Sequence, residues 1–302
     1  MPELISYFNG EFVPDSQCMV HIFDRGFRYG DAVFDIQRTF NGKPFRIKEH
    51  LERFMRSLKY ARLEPGFTID RWEELTLDVA QRNEPYRHPG GDLFIGQYVS
   101  RGRSNHVLED VPLTICIRAW HLEPDQWVSG YQKGIHGVFV KTQSYSPMAV
   151  DSKVKHNNRL NFSLAQLEAT DVDPDASPLL QDGRGNITEG IQANFFVVQN
   201  GVLKMPQDSS SLQGDAGRLI RDIAGNLGIP IVAEDLQPYD AYTADEAFLS
   251  NTAFCIMPVG LIDNRPIGSD VPGPITRQLQ AAWSEIVGLD FVDQALNYAP
   301  PS

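Results

Sequence analysis

The sequence predicts an α+β fold in two domains, and three observations lead there. Asn-Gly pairs at Asn9-Gly10, Asn41-Gly42 and Asn200-Gly201 stand between apolar runs, the signature of tight antiparallel hairpins. Apolar residues at helical spacing fall in blocks grouped beside the strands. The 302 residues exceed what one core usually serves.

The elements follow in order. Tyr7-Phe8 and Phe12-Val13 flank the first hairpin turn, and a strand over Ala32–Thr39 leads to the second. Between Ile47 and Leu63, the residues Leu51, Phe54, Met55 and Leu58 mark a helix. Asp70-Arg71-Trp72-Glu73 reads as a capping box opening another helix toward Gln81. Strands follow over Leu93–Ser100 and Leu113–Ala119. In the second, Leu113, Ile115 and Ile117 alternate with Thr114, Cys116 and Arg118, as in a half-buried sheet. A polar, proline-containing stretch at His121–Gln126 then separates two strand-rich regions. It gives a small domain over 1–122, a linker over 123–129 and a larger domain over 130–302. In the latter, Val138–Lys141 reads as a strand, and Leu160, Ser163, Leu164 and Leu167 as a helix. Leu179–Val198 reads as strands joined by the turn Asp182–Gly185. Asn200-Gly201 turns into Val202-Leu203. Leu219, Ile220, Ile223 and Leu227 give a helix stopping at Gly228, and a last helix runs from Pro274 to Gly288. The tail Asn297–Ser302 is expected to fray.

Bulk properties narrow the function. A net charge of -12, with no basic stripe, argues against nucleic acid as a partner. Cys18, Cys116 and Cys255 are odd in number and far apart in sequence. They read as small buried residues of a reducing compartment, not as disulfides or a metal site. Met1–Ile5 lacks a signal-peptide pattern and no apolar run approaches a membrane span, so a cytoplasmic protein is expected. Gly183-Arg184-Gly185 precedes a strand, so it is a hairpin turn and not a dinucleotide loop.

Lys155 stands out. It lies ahead of the Leu160 helix within Lys155-His156-Asn157-Asn158-Arg159, a polar cluster larger than a helix start requires. Thr188-Glu189-Gly190 follows at a strand end. By base rate a lysine is a solvated surface group and Glu189 an exposed acid. The chain nevertheless resembles the class IV aminotransferases, the fold type IV group of pyridoxal-phosphate enzymes. That group includes branched-chain and D-amino acid aminotransferases, (R)-amine transaminases and aminodeoxychorismate lyase. The resemblance runs nearly the whole length. It starts at Phe8-Asn9-Gly10 and continues through Asp24-Arg25-Gly26-Phe27-Arg28-Tyr29-Gly30-Asp31 and Glu49-His50-Leu51-Glu52-Arg53. It then takes in the Lys155 and Glu189 elements, Ser211-Leu212-Gln213-Gly214, Asp245-Glu246-Ala247-Phe248, Ser250-Asn251-Thr252-Ala253 and Ile256-Met257-Pro258-Val259.

The resemblance implies roles. Lys155 matches the lysine that binds the aldehyde of pyridoxal phosphate and shuttles the proton, for which its pKa should be depressed. Glu189 matches the carboxylate that keeps the pyridine nitrogen protonated. Arg53 matches the phosphate arginine; it lies off the helix's apolar stripe, so a solvated face is the alternative. Gly214, Asp215 and Ala216 match the turn whose amides meet the phosphate. The acid at Asp215 must then point away, or simply complement the helix end. Thr252 matches a phosphate threonine; otherwise it is a turn residue.

For the substrate, the resemblance places Tyr29, Phe34 and Arg38 on the pocket strand, Arg38 as a carboxylate clamp or a structural ion pair. The arginine of the branched-chain enzymes falls on Gly96, their tyrosine on Phe94, and the aromatic after the lysine on Leu160. Val99-Ser100-Arg101-Gly102 resembles the D-amino acid and (R)-amine groups. Arg103 and His106 in the next loop are substrate ligands or a polar loop. The implied function is transfer of an amino group from a D-amino acid or (R)-amine to a keto acid, in a homodimer that completes each site. A branched-chain L-amino acid aminotransferase, an aminodeoxychorismate-type lyase and a non-enzymatic binding protein are the alternatives.

Overall fold

The computed structural model describes residues 3–107, 109–207, 209 and 211–299. The chain divides into two compact units. One comprises Met1–Glu123, Val154–Asn158 and Tyr298–Ser302, the other Pro124–Lys153 and Arg159–Asn297.

The first unit carries β1 (Ile5–Phe8), β2 (Glu11–Pro14), α1 (Arg25–Tyr29), β3 (Ala32–Phe40) and β4 (Lys43–Pro44). It continues with α2 (Ile47–Ala61), α3 (Ile69–Asn83), β5 (Asp92–Ser100) and β6 (Thr114–Leu122). Its strands form one antiparallel sheet in the order β2-β1-β6-β5-β3-β4. The two-residue period splits the sheet's side chains. Val33, Ile95, Val99, Ile117 and Ala119 join the core with Leu51, Phe54 and Leu58 of α2 and Trp72, Leu75 and Val79 of α3. Trp72 meets Phe54 and Phe67 edge-on, with ring centroids 5.1 Å apart in each case. Phe34, Phe94, Tyr98 and Trp120 have the opposite parity. There Phe34 stacks on Tyr98 at 5.7 Å and Phe94 on Trp120 at 5.2 Å.

Both Asn-Gly turns of this unit have positive φ at Asn and Gly, as two-residue hairpins of this twist require. Helix α3 starts one residue before Asp70. Its cap is the hydroxyl of Thr68, which accepts from the Arg71 amide at 3.2 Å, so the Asp70–Glu73 capping box does not form. The cysteine expectation holds for burial only at Cys255. Cys18 and Cys116 are half-buried, and their thiols are hydrogen-bonded neighbours. Burial, seconded by the Cys18 thiol, pushes the Cys116 thiol up to about 12.

The second unit carries α4 (Val128–Lys133), β7 (Ile135–Phe139), α5 (Leu160–Thr170), β8 (Ser177–Gln181), β9 (Ile187–Gly190), β10 (Asn194–Gln199) and β11 (Val202–Pro206). After these come α6 (Asp215–Asn226), β12 (Ile231–Glu234), α7 (Pro238–Tyr242), β13 (Glu246–Asn251), β14 (Cys255–Ile262), β15 (Arg265–Pro266), α8 (Pro274–Val287) and α9 (Phe291–Asn297). Residues 124–127, expected within a linker, form a 3-10 turn that runs into α4. The sheet has the order β12-β11-β10-β13-β14-β7-β8-β9, with β15 paired to β14. It is mixed: β11–β12, β14–β7 and β7–β8 pair in parallel. Helices make two of these parallel pairs possible, α6 between β11 and β12 and α5 between β7 and β8.

Helix α5 forms where Leu160, Ser163, Leu164 and Leu167 predict it, but does not bury those leucines. Its buried side is Asn161, Ala165 and Ala169, packed near Val138 and Leu180, while Leu160, Leu164 and Leu167 are exposed. The small alanines let the helix approach β8, and the leucines that gave the periodicity face outward. Asp263-Asn264 makes a fourth tight hairpin, between β14 and β15, both residues at positive φ. Of the tail expected to fray, Asn297 closes α9 and Tyr298 is buried, its hydroxyl 3.3 Å from His88 Nδ1. Residues 300–302 of that expectation lie outside the described residues, as do Met1 and Pro2 of the N-terminal reading. No helix among the described residues is long and apolar enough to cross a membrane.

Candidate active site

The candidate residues fall into two sets, one in each unit. In the first, Lys155 rides on a five-residue strap along β3. Phe34 N donates to Lys155 O at 3.0 Å, Asn157 N donates to Ala32 O at 3.0 Å, and Val33 bridges His156. Lys155 N donates to Ser57 Oγ of α2 at 3.2 Å. Val154 is buried in the core and Asn158 Nδ2 donates to Gly30 O at 2.9 Å. The lysine backbone is therefore held at both its amide and its carbonyl, and Nζ lies 4.9 Å from the centroid of the Phe34 ring. Lys153, two residues earlier, is exposed and ion-paired to Asp151 at 3.0 Å.

Arg53 is not on a solvated face. It is buried, and its Nε and Nη2 donate to Asp35 Oδ2 and Oδ1 at 2.8 and 2.7 Å. His50 Nδ1 lies 2.8 Å from Asp35 Oδ1. Burial pushes the Asp35 carboxyl up, but Arg53 and His50 more than reverse this and hold it well below the ordinary range. This bidentate fork aims the guanidinium, and its Nη2 also lies 3.3 Å from His50 Nδ1.

The Asp24–Asp31 segment is a structural hub. Asp24 is buried and accepts from Gly26 N at 2.7 Å, Ser100 Oγ at 2.7 Å and Thr114 Oγ1 at 2.6 Å. Asp31 pairs with Arg25 at 2.9 Å and Arg101 at 2.8 Å. Tyr29 is exposed; its hydroxyl accepts from Arg28 Nη2 at 2.8 Å, and Arg25 and Arg28 lie 4.7 and 4.8 Å from its ring centroid.

Arg38 lies in a structural ion pair. It is buried, with Nη2 3.3 Å from Asp92 Oδ2, Nε donating to Thr39 O at 3.1 Å, and its guanidinium over Phe40. Asp92 also accepts from Thr39 Oγ1 at 2.7 Å and Gly42 N at 3.1 Å. This is the second of the two roles open to Arg38. Arg103 and His106 are exposed, on a loop drawn together by Ser104 and Glu109. Gly96 faces rings: a Cβ there would lie 2.8 Å from Tyr98 and 3.0 Å from Trp120. Burial pushes the Tyr98 hydroxyl up to about 12, so it stays protonated.

The second set lies at the end of β9, at the start of α6 and in the β13–β14 turn. Glu189 is buried at the end of β9, and its Oε2 accepts from Leu212 N at 3.1 Å. Gly214 caps α6 with extended backbone and no side-chain hydrogen bond. Asp215 is buried, with Oδ1 accepting from Arg218 Nη1 at 3.2 Å. Ala216 is buried in the first turn. Thr252 is half-buried in the β13–β14 turn, which Asn251 Oδ1 shapes by accepting from Ala253 N and Phe254 N at 2.9 Å each.

These features suit pyridoxal phosphate. A helix start with no side-chain cap, backed by glycine, offers amides to a phosphate. A buried carboxylate suits a protonated pyridine nitrogen, a forked guanidinium suits phosphate, and an anchored lysine suits an aldehyde.

Residues 32–262, more than half of the chain, match the family model described as amino-transferase class IV. A Methanocaldococcus jannaschii protein assigned as a branched-chain-amino-acid aminotransferase is 33% identical over 93% of this chain and 95% of its own. D-alanine aminotransferase of Staphylococcus epidermidis is 29% identical over 93% of this chain and 97% of its own. The T.th. branched-chain amino acid aminotransferase, in its complex with N-(5'-phosphopyridoxyl)-L-glutamate, superposes with a TM-score of 0.84. It is 29% identical, and the match covers 95% of each chain.

Proposed function

The chain belongs to the amino-transferase class IV family, and from that premise we propose that it transfers an amino group from a D-amino acid or (R)-amine to a keto acid. It is a pyridoxal-phosphate-dependent transaminase of fold type IV. When bound, pyridoxal phosphate supplies an electron sink for charge that develops at the substrate carbon. In our assignment the remaining work falls to side chains. Lys155 would hold the cofactor's aldehyde carbon until an incoming amine displaces it, and would then, as a neutral amine, take and return the substrate's α-proton at Nζ. Glu189 keeps a proton on the ring nitrogen. Arg53, Thr252 and the amides of Gly214, Asp215 and Ala216 bind the phosphate.

One observation carries the donor assignment. Gly96, where the resemblance puts the arginine of the branched-chain enzymes, is packed against Tyr98 and Trp120. The neighbouring surface is aromatic, from Phe34 beside Lys155 to Tyr98, Trp120 and Phe94. Such a face suits an apolar or aryl substituent better than a second charged clamp. A branched-chain L-amino acid donor is the second reading, favoured by the identity to the M. jannaschii protein. Initial rates with both enantiomers of alanine, leucine and 1-phenylethylamine, with pyruvate as acceptor, decide between them. Faster use of the D- and (R)-donors is expected; fast, selective use of L-leucine overturns the assignment.

We also propose a homodimer. Met19, Val20, Ile22, Phe23 and Phe27 are exposed in the first unit, and Leu160, Leu164 and Leu167 in the second. Exposed apolar groups clustered along one segment mark association surfaces. Light scattering on the purified protein should give twice the 33.9 kDa chain mass; a single-chain mass refutes the dimer.

A further inference from the structure

We propose that Asn194 is a positioning residue, fixing the first turn of α6 relative to Glu189 through the peptide of Leu212. The proposal rests on the cofactor roles given above to Glu189 and to the α6 amides.

Asn194 opens β10, opposite Ser250 of β13. Its side chain is buried and does two things at once. Nδ2 donates to Leu212 O at 2.8 Å. Oδ1 projects beneath the first turn of α6. A Cβ added to Gly214 would lie 2.3 Å from that oxygen, and one added to Gly217 2.8 Å from it. Neither glycine has positive φ, so backbone conformation does not require them. Their requirement is steric, and it comes from Asn194. The two glycines and the asparagine form one packed joint.

Leu212 connects this joint to the carboxylate. Its N–H donates to Glu189 Oε2 at 3.1 Å, and its carbonyl accepts from both Asn194 Nδ2 and Gly214 N at 2.8 Å. One residue's amide is thus held by Glu189 and its carbonyl by the residue that floors the helix start. In the absence of Asn194 the turn has room to shift, and Glu189 loses the fixed position of its donor. Asparagine suits the position because it combines a donor for Leu212 O with a blunt, uncharged acceptor beneath the helix. Aspartate would place a carboxylate against a carbonyl oxygen and under the proposed phosphate.

The test compares binding of pyridoxal 5'-phosphate and of pyridoxal, which lacks the phosphate, to apoprotein. Wild type, Asn194→Ala, Asn194→Asp and Gly217→Ala are measured, with thermal unfolding of each apoprotein as a control. Loss of the anchor should weaken pyridoxal 5'-phosphate binding by about tenfold in Asn194→Ala and further in Asn194→Asp. Pyridoxal binding should change by less than about twofold. The pH at which the bound cofactor's absorption changes should also move, because the Leu212 amide that donates to Glu189 is no longer fixed in place. If Asn194→Ala fails to fold, Gly217→Ala probes the same contact from the helix side and should show the same selective loss. Variants that keep the wild-type preference for the phosphorylated form overturn the inference while leaving the cofactor reading intact. A wild type with no such preference defeats the cofactor reading itself.

Discussion

Asp35 grips the guanidinium of Arg53 through two hydrogen bonds, Nε to Oδ2 at 2.8 Å and Nη2 to Oδ1 at 2.7 Å. The pair joins β3 to α2 inside the first unit, and both residues are buried. Asp35→Asn leaves the arginine charge without its counter-ion. A loss of about 3–5 kcal/mol of stability is expected, read from urea unfolding at neutral pH. The pH dependence has a definite sign. The folded carboxyl titrates below its ordinary 3.8, so its contribution is complete above that value and is lost as pH falls toward the lower folded one. Wild type should therefore lose stability below about pH 4, and Asp35→Asn should lack that part of the slope. An identical acid limb in both proteins would contradict the pairing.

Lys155→Ala should fold, because the strap is held by backbone contacts to Phe34, Ala32 and Ser57, not by the ammonium group. It should lose transamination altogether. Borohydride reduction of wild-type holoenzyme, followed by peptide mapping, should find the cofactor on Lys155. A label on Lys153 would remove the assignment.

Glu189→Gln should lower turnover by roughly ten- to a hundredfold, the equivalent of one charge-assisted hydrogen bond of about 1.5–3 kcal/mol. Cofactor binding should fall much less. The amide cannot hold a proton on the ring nitrogen, so the bound cofactor's spectrum should change as well. An unaltered rate with an unaltered spectrum refutes the role.

Arg38 and Arg103 should separate cleanly. Arg38→Ala removes the counter-ion of buried Asp92, with an expected cost of about 3–5 kcal/mol in stability and no selectivity among donors. Arg103 is exposed on its loop. Its replacement by alanine should spare stability and raise KM for carboxylate-bearing donors roughly ten- to a hundredfold more than for 1-phenylethylamine. Equal KM changes for both donor types would remove Arg103 from carboxylate recognition.

Local signals are legible in the sequence, and pairings between distant residues are not. Three Asn-Gly turns are visible because that dipeptide tolerates two consecutive positive φ values. The Asp263-Asn264 hairpin uses the same geometry without glycine and carries no such mark. Leu160, Leu164 and Leu167 announce a helix but not its buried side, which Ala165 and Ala169 set by their small size. Lys155 and Glu189 stand out as motifs. The residues that hold their surroundings do not. Ser57 precedes Lys155 by 98 positions, and Asp35 precedes Arg53 by 18, in a strand whose pattern gives no hint of an ion pair. Asn194 falls within the expected strands of Leu179–Val198, and its partners Leu212, Gly214 and Gly217 become neighbours only after folding. The parallel ladders are hidden for the same reason: strand order is a property of the whole chain.

The strap at Val154–Asn158 has a consequence for biosynthesis. A ribosome delivers Met1–Glu123 first, yet that unit also owns five residues made after Lys153 and the stretch from Tyr298 onward. The nascent sheet can pair β1, β2, β3, β5 and β6 early, but the Phe34 amide must wait for Lys155 O, and His88 for Tyr298, 210 positions later. Vectorial folding therefore cannot complete the first unit before nearly all of the second has left the ribosome. A fragment ending at Glu123 should behave as an unfinished intermediate, and adding a peptide of residues 150–160 in trans should recover part of its order.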